Sequence, residues 1–556
     1  MKTAAQTGLL LSISGLPGLR KNSDIASNFD LIIKKGTIID GIRDTPYKAD
    51  LGISGERIKA IGNLSEASSK AIIDASEKTI APGFIDIHSH TDLELLVNPK
   101  AESKIRQGIT TELSGNCGGS VFPLKKHFSP EERRIGEKLG LNIDWVDLEG
   151  YYSRLSKEGM AINHATLLGQ ATLRSYVMGK EKREPKAQEM EMMKHLAAET
   201  MEQGAFGLST GLEYAPSGFA KAEEILELCQ VVAKYGGFYA SHIRSEDLYI
   251  LEAIGESLFI AEKGEIPLQI SHLKVSGKIN WWKQQMIIDL IERAGERGIL
   301  VTADCYPYTA YSTGLSVFFP HWALDGGAGE FVKRLKDKEL REKMKEETVE
   351  KVIGNNSWES ILIVEVSREE NRSLEGKNLS DIAASRKKDP YQLACDLLVE
   401  EEGDVSIVGF GMSEENIQLL LKHPLLMLCS DGSALAPYGL LSRGVPHPRN
   451  YGAFPRFLGL YVREKKLIPL PQAIKKMTSL PAAKMGLEDR GSIKEGNFAD
   501  LVIFDPSKIS DTATYFEPEN YPEGIDYVLV NGRIVIDHGQ QTGELPGKVL
   551  HGPGKK

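Results

Sequence analysis

Cysteine is scarce in this chain. Five thiols, Cys117, Cys229, Cys305, Cys395 and Cys429, are spread over 556 residues. An odd number at such spacing does not read as a disulfide framework, so a reducing compartment, the cytoplasm, is the expectation. There is also no apolar run approaching the roughly 18–20 residues that span a bilayer, which excludes a membrane helix. Positive charge is in deficit: 67 Lys and Arg stand against 77 Asp and Glu, a net charge of −10. A nucleic-acid-binding face would need clustered cations, so neither nucleic acid nor membrane is expected as a partner. Internal repeats and low-complexity tracts are absent. Lys2 and the apolar stretch 7–16 have the outline of a signal peptide, but Pro17 and Gly18 follow without a small-residue cleavage site, leaving export as the alternative.

What is present is ordinary for a folded protein: 41% hydrophobic and 26% charged residues. One compact core rarely exceeds roughly 250–300 residues, so more than one structural unit is expected. Residues 1–28 read as a leader. From 29 to 80, short runs of β-branched residues read as strands at 29–41, 50–55, 57–62 and 71–80. The rhythm then changes. Strands at 84–88, 110–113, 162–168, 206–209, 238–242, 268–271, 300–304 and 425–430 alternate with helical stretches such as 187–203, 221–235, 248–263 and 285–297. That alternation predicts a parallel α/β architecture, and its length suits a (β/α)₈ barrel. Residues 320–405 interrupt it with the charged helix 333–351, either a solvated surface helix or a lid over an active-site mouth. A last helix is read at 471–485. Strands return at 500–504 and in a hairpin turned by Asn531-Gly532, a pair suited to a type I′ turn.

The chemistry concentrates at strand ends. His88 and His90 close the strand 84–88, and residues two apart on a strand share a face. His242, His272 and Asp431 close three further strands. Each one alone reads as structural. Five metal-type donors or bases at equivalent ends of four strands read as a site, because barrel active sites lie at that face. Cys117 sits in the glycine-flanked loop Ser114-Gly115-Asn116-Cys117-Gly118-Gly119, where a thiolate can bind metal as well as pack. The other four cysteines read as structural, with Cys305 set apart because it follows Asp304 at another strand end.

Eight motifs carry a resemblance: PGFIDIHSHTD (82–92), GITTELSGNCGGSVFPL (108–124), GLSTGLEYAP (207–216), SHIRSE (241–246), ISHLK (270–274), DCYPYTAYST (304–313), SDGSA (430–434) and HPRNYGAFPR (447–456). Together they resemble the N-acyl-D-amino-acid deacylases, or D-aminoacylases, of the amidohydrolase superfamily, over about residues 29–548. The resemblance implies a distorted TIM barrel, here over 81–489, within which 320–405 is the insertion read above as a surface helix or a lid. It also implies a small β-sandwich made from 29–80 and 490–548. It implies a tight zinc site at His242 and His272, a weaker second site at His88 and His90, and Cys117 as the thiolate that binds or bridges the metals. No lysine suits the bridging role that a carboxylated lysine fills in many amidohydrolases. Asp431 matches the catalytic aspartate. Lys274, Arg449, Tyr214, Tyr306 and Ser312 match positions that hold the substrate, mostly its carboxylate. Two features depart from the pattern: Leu273 stands where a second histidine is common, and the loop after Asp431 is longer.

The implied reaction is zinc-dependent hydrolysis of the amide bond of an N-acyl-D-amino acid, a small-molecule substrate. Two other readings stay open. One is a related hydrolase for D-residue dipeptides or cyclic amides. The other is a non-catalytic homologue on the same barrel, which would be expected to have lost donors that are all present here. Oligomeric state is not legible.

Overall fold

The two chain ends build β-structure together because their β-branched runs can be buried only against each other. In the computed structural model, which describes residues 28–125 and 130–556, the strands Arg57–Gly62, Asp50–Ser54, Asn28–Lys34 and Ser68–Asp74 form one sheet in that order. The expected leader lies, but for residue 28, outside the described residues. A seven-stranded sheet interleaves both ends, with Leu501–Phe504 antiparallel to Thr79–Pro82 in the register Ile503↔Ile80. Ile33, Leu51 and Ile53 from the first sheet pack with Ile38, Leu501 and Ile503 from the second. The single strand expected at 71–80 is two strands in different sheets. Asp74 accepts the Ser76 N–H at 2.9 Å, and Glu77 turns the chain at φ 63°. The Asn531-Gly532 hairpin is as expected, with φ 48° and 76° at its two corners.

The central region is parallel. Phe84–Asp86, Ile109–Ser114 and Asn163–Thr166 form one ladder. Leu168–Gly169, Gly207–Gly211, Phe238–His242, Leu268–Ile270, Val301–Cys305 and Leu426–Leu428 form another. Only Leu167 separates the ladders along the chain. At the far edge Ser89 bridges Gly432 in parallel, with Asp431 N donating to His88 O and His90 N donating to Gly432 O, both at 3.0 Å. Helices alternate with the strands as the sequence rhythm predicts. Ala187–Gln203, for example, stops at Gly204 in the left-handed region.

The segment 320–405 has its own apolar core and belongs to a larger unit than expected. Its antiparallel sheet, Tyr311–Gly314, Val405–Gly409 and Ile361–Val366, begins before 320 and ends after 405. The charged helix expected at 333–351 is two helices, Ala328–Lys336 and Lys338–Asn355. Asp337 adopts an extended conformation between them and caps the second by accepting from Glu339 N and Leu340 N. The last helix is likewise split, into Leu470–Met477 and Ser479–Met485, by Thr478 at φ −138°, ψ −82°. No helix among the described residues is long and apolar enough to cross a membrane.

Candidate active site

Every strand-end residue singled out from the sequence reaches one place. His88 and His90 follow Phe84–Asp86, Cys117 follows Ile109–Ser114, and His242 ends Phe238–His242. His272 and Asp431 follow Leu268–Ile270 and Leu426–Leu428. Cys117 Sγ lies 3.5 Å from His88 Nε2 and 3.3 Å from His272 Nε2. Asp431 Oδ1 lies 3.0 Å from His90 Nε2 and 3.4 Å from His88 Nε2. The His242 and His272 rings meet edge to face at 4.5 Å. Three of these residues hold left-handed backbone, at φ 51° for Cys117, 34° for His272 and 50° for Asp431. Such conformations are costly for residues with a side chain and cluster at functional sites. Gly115 makes the Cys117 loop possible, since a Cβ there would meet Leu167 O at 2.3 Å.

The supporting carboxylates were not recognised in the sequence. Asp304 lies 3.3 Å from His88 Nδ1 and accepts His272 N–H at 2.7 Å. Glu246 lies 3.0 Å from His272 Nδ1. Glu213 lies 3.3 Å from His242 Nε2 and 3.0 Å from Lys351, which the inserted unit supplies. Glu246 sits inside SHIRSE and Asp304 ends a strand, so both had a local signal. So had Glu213, inside GLSTGLEYAP, whereas Lys351, 138 positions further on, had none. Beneath the site lies Lys104, fully buried. Its Nζ donates to Asp86 Oδ2 at 2.8 Å, Ser430 Oγ at 2.7 Å and Gly432 O at 2.7 Å. Its ammonium is thereby committed to tying together the segments that carry His88, His90 and Asp431.

The electrostatics follow from this crowding. Burial opposes ionisation of Cys117, but His272 and His88 outweigh it and hold the thiol well below its usual range. Burial likewise opposes the Asp431 carboxylate, and Arg449, His272 and His88 hold it well below the usual range. His90 is pushed up to about 9 and His242 to about 10, because Asp431, Glu246, Glu213 and Cys117 overcome the burial that would lower them. Cys305 differs: burial and Asp304 push it up to about 12, consistent with a structural thiol.

The five residues matched to substrate positions all line the same cavity, of about 260 Å³. Lys274 and Arg449 are both buried. Neither stands free. Lys274 Nζ donates to Glu246 Oε1 at 2.6 Å, and Arg449 Nη1 lies 2.7 Å from Asp431 Oδ2. The Tyr306 ring lies under both cations, 5.0 Å from the Arg449 guanidinium carbon and 5.7 Å from Lys274 Nζ. Tyr214 packs edge-on to His242 at 4.7 Å and accepts from Thr313 Oγ1 at 3.0 Å. Ser312 reaches the cavity from the strand Tyr311–Gly314.

Three donor groups have ligand atoms within 4.8 Å of one another: His88, Cys117 and His272; His88, His90 and Asp431; and His242, Glu246 and His272. Imidazole, thiolate and carboxylate are the donors zinc takes. His242 Nδ1 is buried with no hydrogen-bond partner among the described residues, as a nitrogen available to a metal would be. The residues present fit such an ion.

A parallel α/β protein with a histidine-, cysteine- and carboxylate-lined cavity at its strand ends is of the class that holds metal at that face. The chain belongs to the amidohydrolase family, whose model matches residues 71–296 and 365–536. It is 36% identical to a D-aminoacylase of Alcaligenes xylosoxydans xylosoxydans, over 94% of this chain and 97% of the relative. It is 34% identical to an N-acyl-D-glutamate deacylase of the same organism, over 94% and 96%. Among solved structures, the N-acyl-D-glutamate deacylase of Bordetella bronchiseptica superposes with a TM-score of 0.80 at 34% identity, covering 94% of this chain and all of that one. That structure holds zinc and a phosphonate inhibitor that mimics the tetrahedral intermediate of the reaction. A D-aminoacylase described by its binuclear metal centre superposes equally well, at 0.80 and 35% identity.

Proposed function

We propose that the protein is a zinc-dependent deacylase of N-acyl-D-amino acids, releasing a carboxylate and a free D-amino acid. One observation carries this reading: five of the six donors line one cavity with the two buried cations Lys274 and Arg449, and the sixth, His88, lies 3.4 Å from Asp431. The deacylase relatives, matched over almost the whole chain, support it. His242 and His272 would hold the tighter zinc, His88 and His90 a weaker second ion, with Cys117 between them. Zinc, when bound there, supplies Lewis acidity to the acyl carbonyl and makes water more acidic. Asp431 takes the proton of the attacking water at its carboxylate and passes it to the departing nitrogen. Arg449 offers the substrate carboxylate a planar fork and Lys274 a point charge. Arg449 rests on Asp431 in the free protein, so a substrate carboxylate that shares the guanidinium makes Asp431 a stronger base. The need for a free carboxylate disfavours cyclic amides.

The finer architecture belongs to the same proposal. The parallel strands form a closed, distorted eight-stranded barrel, a reading supported by the Ser89–Gly432 bridge between the outer edges of the two ladders. Residues 29–80 and 490–548 form a split β-sandwich, supported by the apolar cluster their two sheets share. The inserted unit acts as a wall or lid, supported by Lys351 and Asn355 lining the cavity.

The test is a panel of N-acetyl-D- and N-acetyl-L-amino acids assayed with and without added zinc, with metal content measured on the wild type and on Cys117→Ser. Hydrolysis of D-substrates that falls on chelation and returns with zinc is expected, along with reduced metal content in the variant. Failure to hydrolyse any D-substrate sinks the reading.

A further inference from the structure

The strand Gly207–Gly211 contributes none of the six donors, yet two of its residues face the loop that carries Cys117. That loop is awkward to hold. Cys117 and Gly118 follow one another at φ 51° and 78°, and Gly119 N donates to Asn116 O at 3.0 Å across them. Two successive left-handed residues suit Asn and Gly, and a cysteine in the first place is costly. Such a conformation persists where its surroundings over-determine it. Asp92 Oδ1 accepts Gly115 N–H at 3.0 Å, and Asn116 Nδ2 donates to Leu113 O at 2.9 Å, which fixes the entry to the loop. Gly118 O accepts from Ala171 N at 2.9 Å and Thr172 N at 3.2 Å, which fixes its exit.

Ser209 joins the two sides. It is fully buried, and its one hydroxyl accepts Gly118 N–H at 3.1 Å and donates to Gly115 O at 2.5 Å. Those two groups flank Cys117 at the i and i+3 spacing that a turn would close directly. The hydroxyl stands in for that bond. Two residues on, Gly211 makes room for the Cys117 carbonyl, which a Cβ there would meet at 2.1 Å. Residues 209 and 211 share a face of the strand, so one face both pins the loop and seats it. Thr210 points the other way, where its Oγ1 lies 2.8 Å from Tyr239 Oη. Among the described residues Ser209 makes no hydrogen bond to a donor side chain, so it reaches the site through the loop.

Resting on the reading of Cys117 as a metal ligand, we propose that Ser209 is a positioning residue, whose hydroxyl holds the Cys117 loop in this shape before any metal arrives and so keeps the sulfur between His88 and His272. A loop ordered beforehand loses little entropy when the ion binds, which strengthens binding without a new contact to the ion. Partners that orient a ligand in this way typically change metal affinity by about 10–100-fold when removed.

The experiment loads the full-length protein with cobalt(II) in place of zinc, because a thiolate bound to cobalt gives a near-ultraviolet charge-transfer band. The wild type should show the band and Cys117→Ser should lose it, which assigns it to this sulfur. Ser209→Ala should weaken the band and bind cobalt about tenfold less tightly. Thr210→Ala removes an equally buried hydroxyl from the opposite face of the same strand, and should keep the wild-type band and affinity. A Ser209→Ala protein that keeps both overturns the proposal. So does an equal loss in Thr210→Ala, since the effect would then be a general loosening of the strand. Hydrogen exchange on the wild type needs no variant and decides the matter should Ser209→Ala fail to fold. The peptide covering 115–119 should exchange no faster after chelation than with metal bound. Faster exchange after chelation means that the metal shapes the loop, and overturns the proposal. A wild type without the cysteine-dependent band removes Cys117 from the metal site and this proposal with it, while the deacylase reading still stands or falls on hydrolysis of D-substrates.

Discussion

The β-unit formed by the two chain ends and the strand-end face of the parallel region bury very different things. The first encloses an all-apolar cluster, with Ile33, Leu51, Leu501 and Leu529 fully buried. The second buries Asp86, His88, Lys104, Glu112 and Asp304 just as completely. Apolar burial stabilises at roughly 25 cal/mol per Å² and asks little of geometry. Buried ion pairs contribute little net stability, because desolvation offsets their attraction, but removing one partner is severe. One region therefore supplies stability, and the other spends some of it to hold reactive groups in a fixed arrangement.

That contrast can be broken or sharpened by experiment. Asp431→Asn should reduce kcat by about 10³-fold, roughly 4 kcal/mol of transition-state stabilisation, and should also lower the melting temperature, because it leaves the buried Arg449 guanidinium without its carboxylate. Steady-state kinetics beside calorimetry separate the two, and full activity in the variant would remove Asp431 from the mechanism. Lys104→Met should destabilise the fold by about 3–5 kcal/mol by stranding the Asp86 carboxylate, and should disturb activity as well, since Lys104 ties down the His88 and Asp431 segments. Adding Asp86→Asn should recover part of the stability in a double-mutant cycle. In the β-unit, Leu501→Ala should cost about 3 kcal/mol in urea unfolding with kcat unchanged. A large kcat effect there would blur the division between the regions.

The smallest effect is expected at Glu94, near the site but outside it. Burial and Asp92 push its pKa up to about 7. A carboxyl raised in the folded state contributes stability that is complete below its unfolded value, near 4.5, and lost as pH rises through 7. Glu94→Gln should therefore flatten the fall in stability between pH 4.5 and 7, read from urea midpoints at pH 5 and 7.5. An unchanged slope would place Glu94 in a more solvated setting.

Much of the site was legible because its residues advertise themselves locally. His-x-His at a strand end, a cysteine between glycines, and His242, His272 and Asp431 at successive strand ends each follow from the period-two pattern and the turn that ends it. Asp337 and Thr478 show where such reading fails. Charge and apolar periodicity run smoothly through both positions, yet one non-helical residue splits each predicted helix, and at Asp337 it does so as the cap of the second helix. The strand expected at 71–80 fails for a similar reason, since an Asx turn at Asp74 sends its halves to different sheets.

By itself the sequence determined the alternation that makes a parallel α/β protein, the β-rich ends, and the identity of the six donors, since each depends on neighbours within a few positions. Only the tertiary structure decided what stands behind those donors. Lys351 reaches Glu213 across 138 positions, Arg449 rests on Asp431 rather than in solvent, and Lys104 gathers segments 328 positions apart. Those pairings are set by chain crossings that no local pattern encodes. They also pair Lys274 and Arg449, which the resemblance had matched to the substrate carboxylate, with the carboxylates Glu246 and Asp431 of the protein itself.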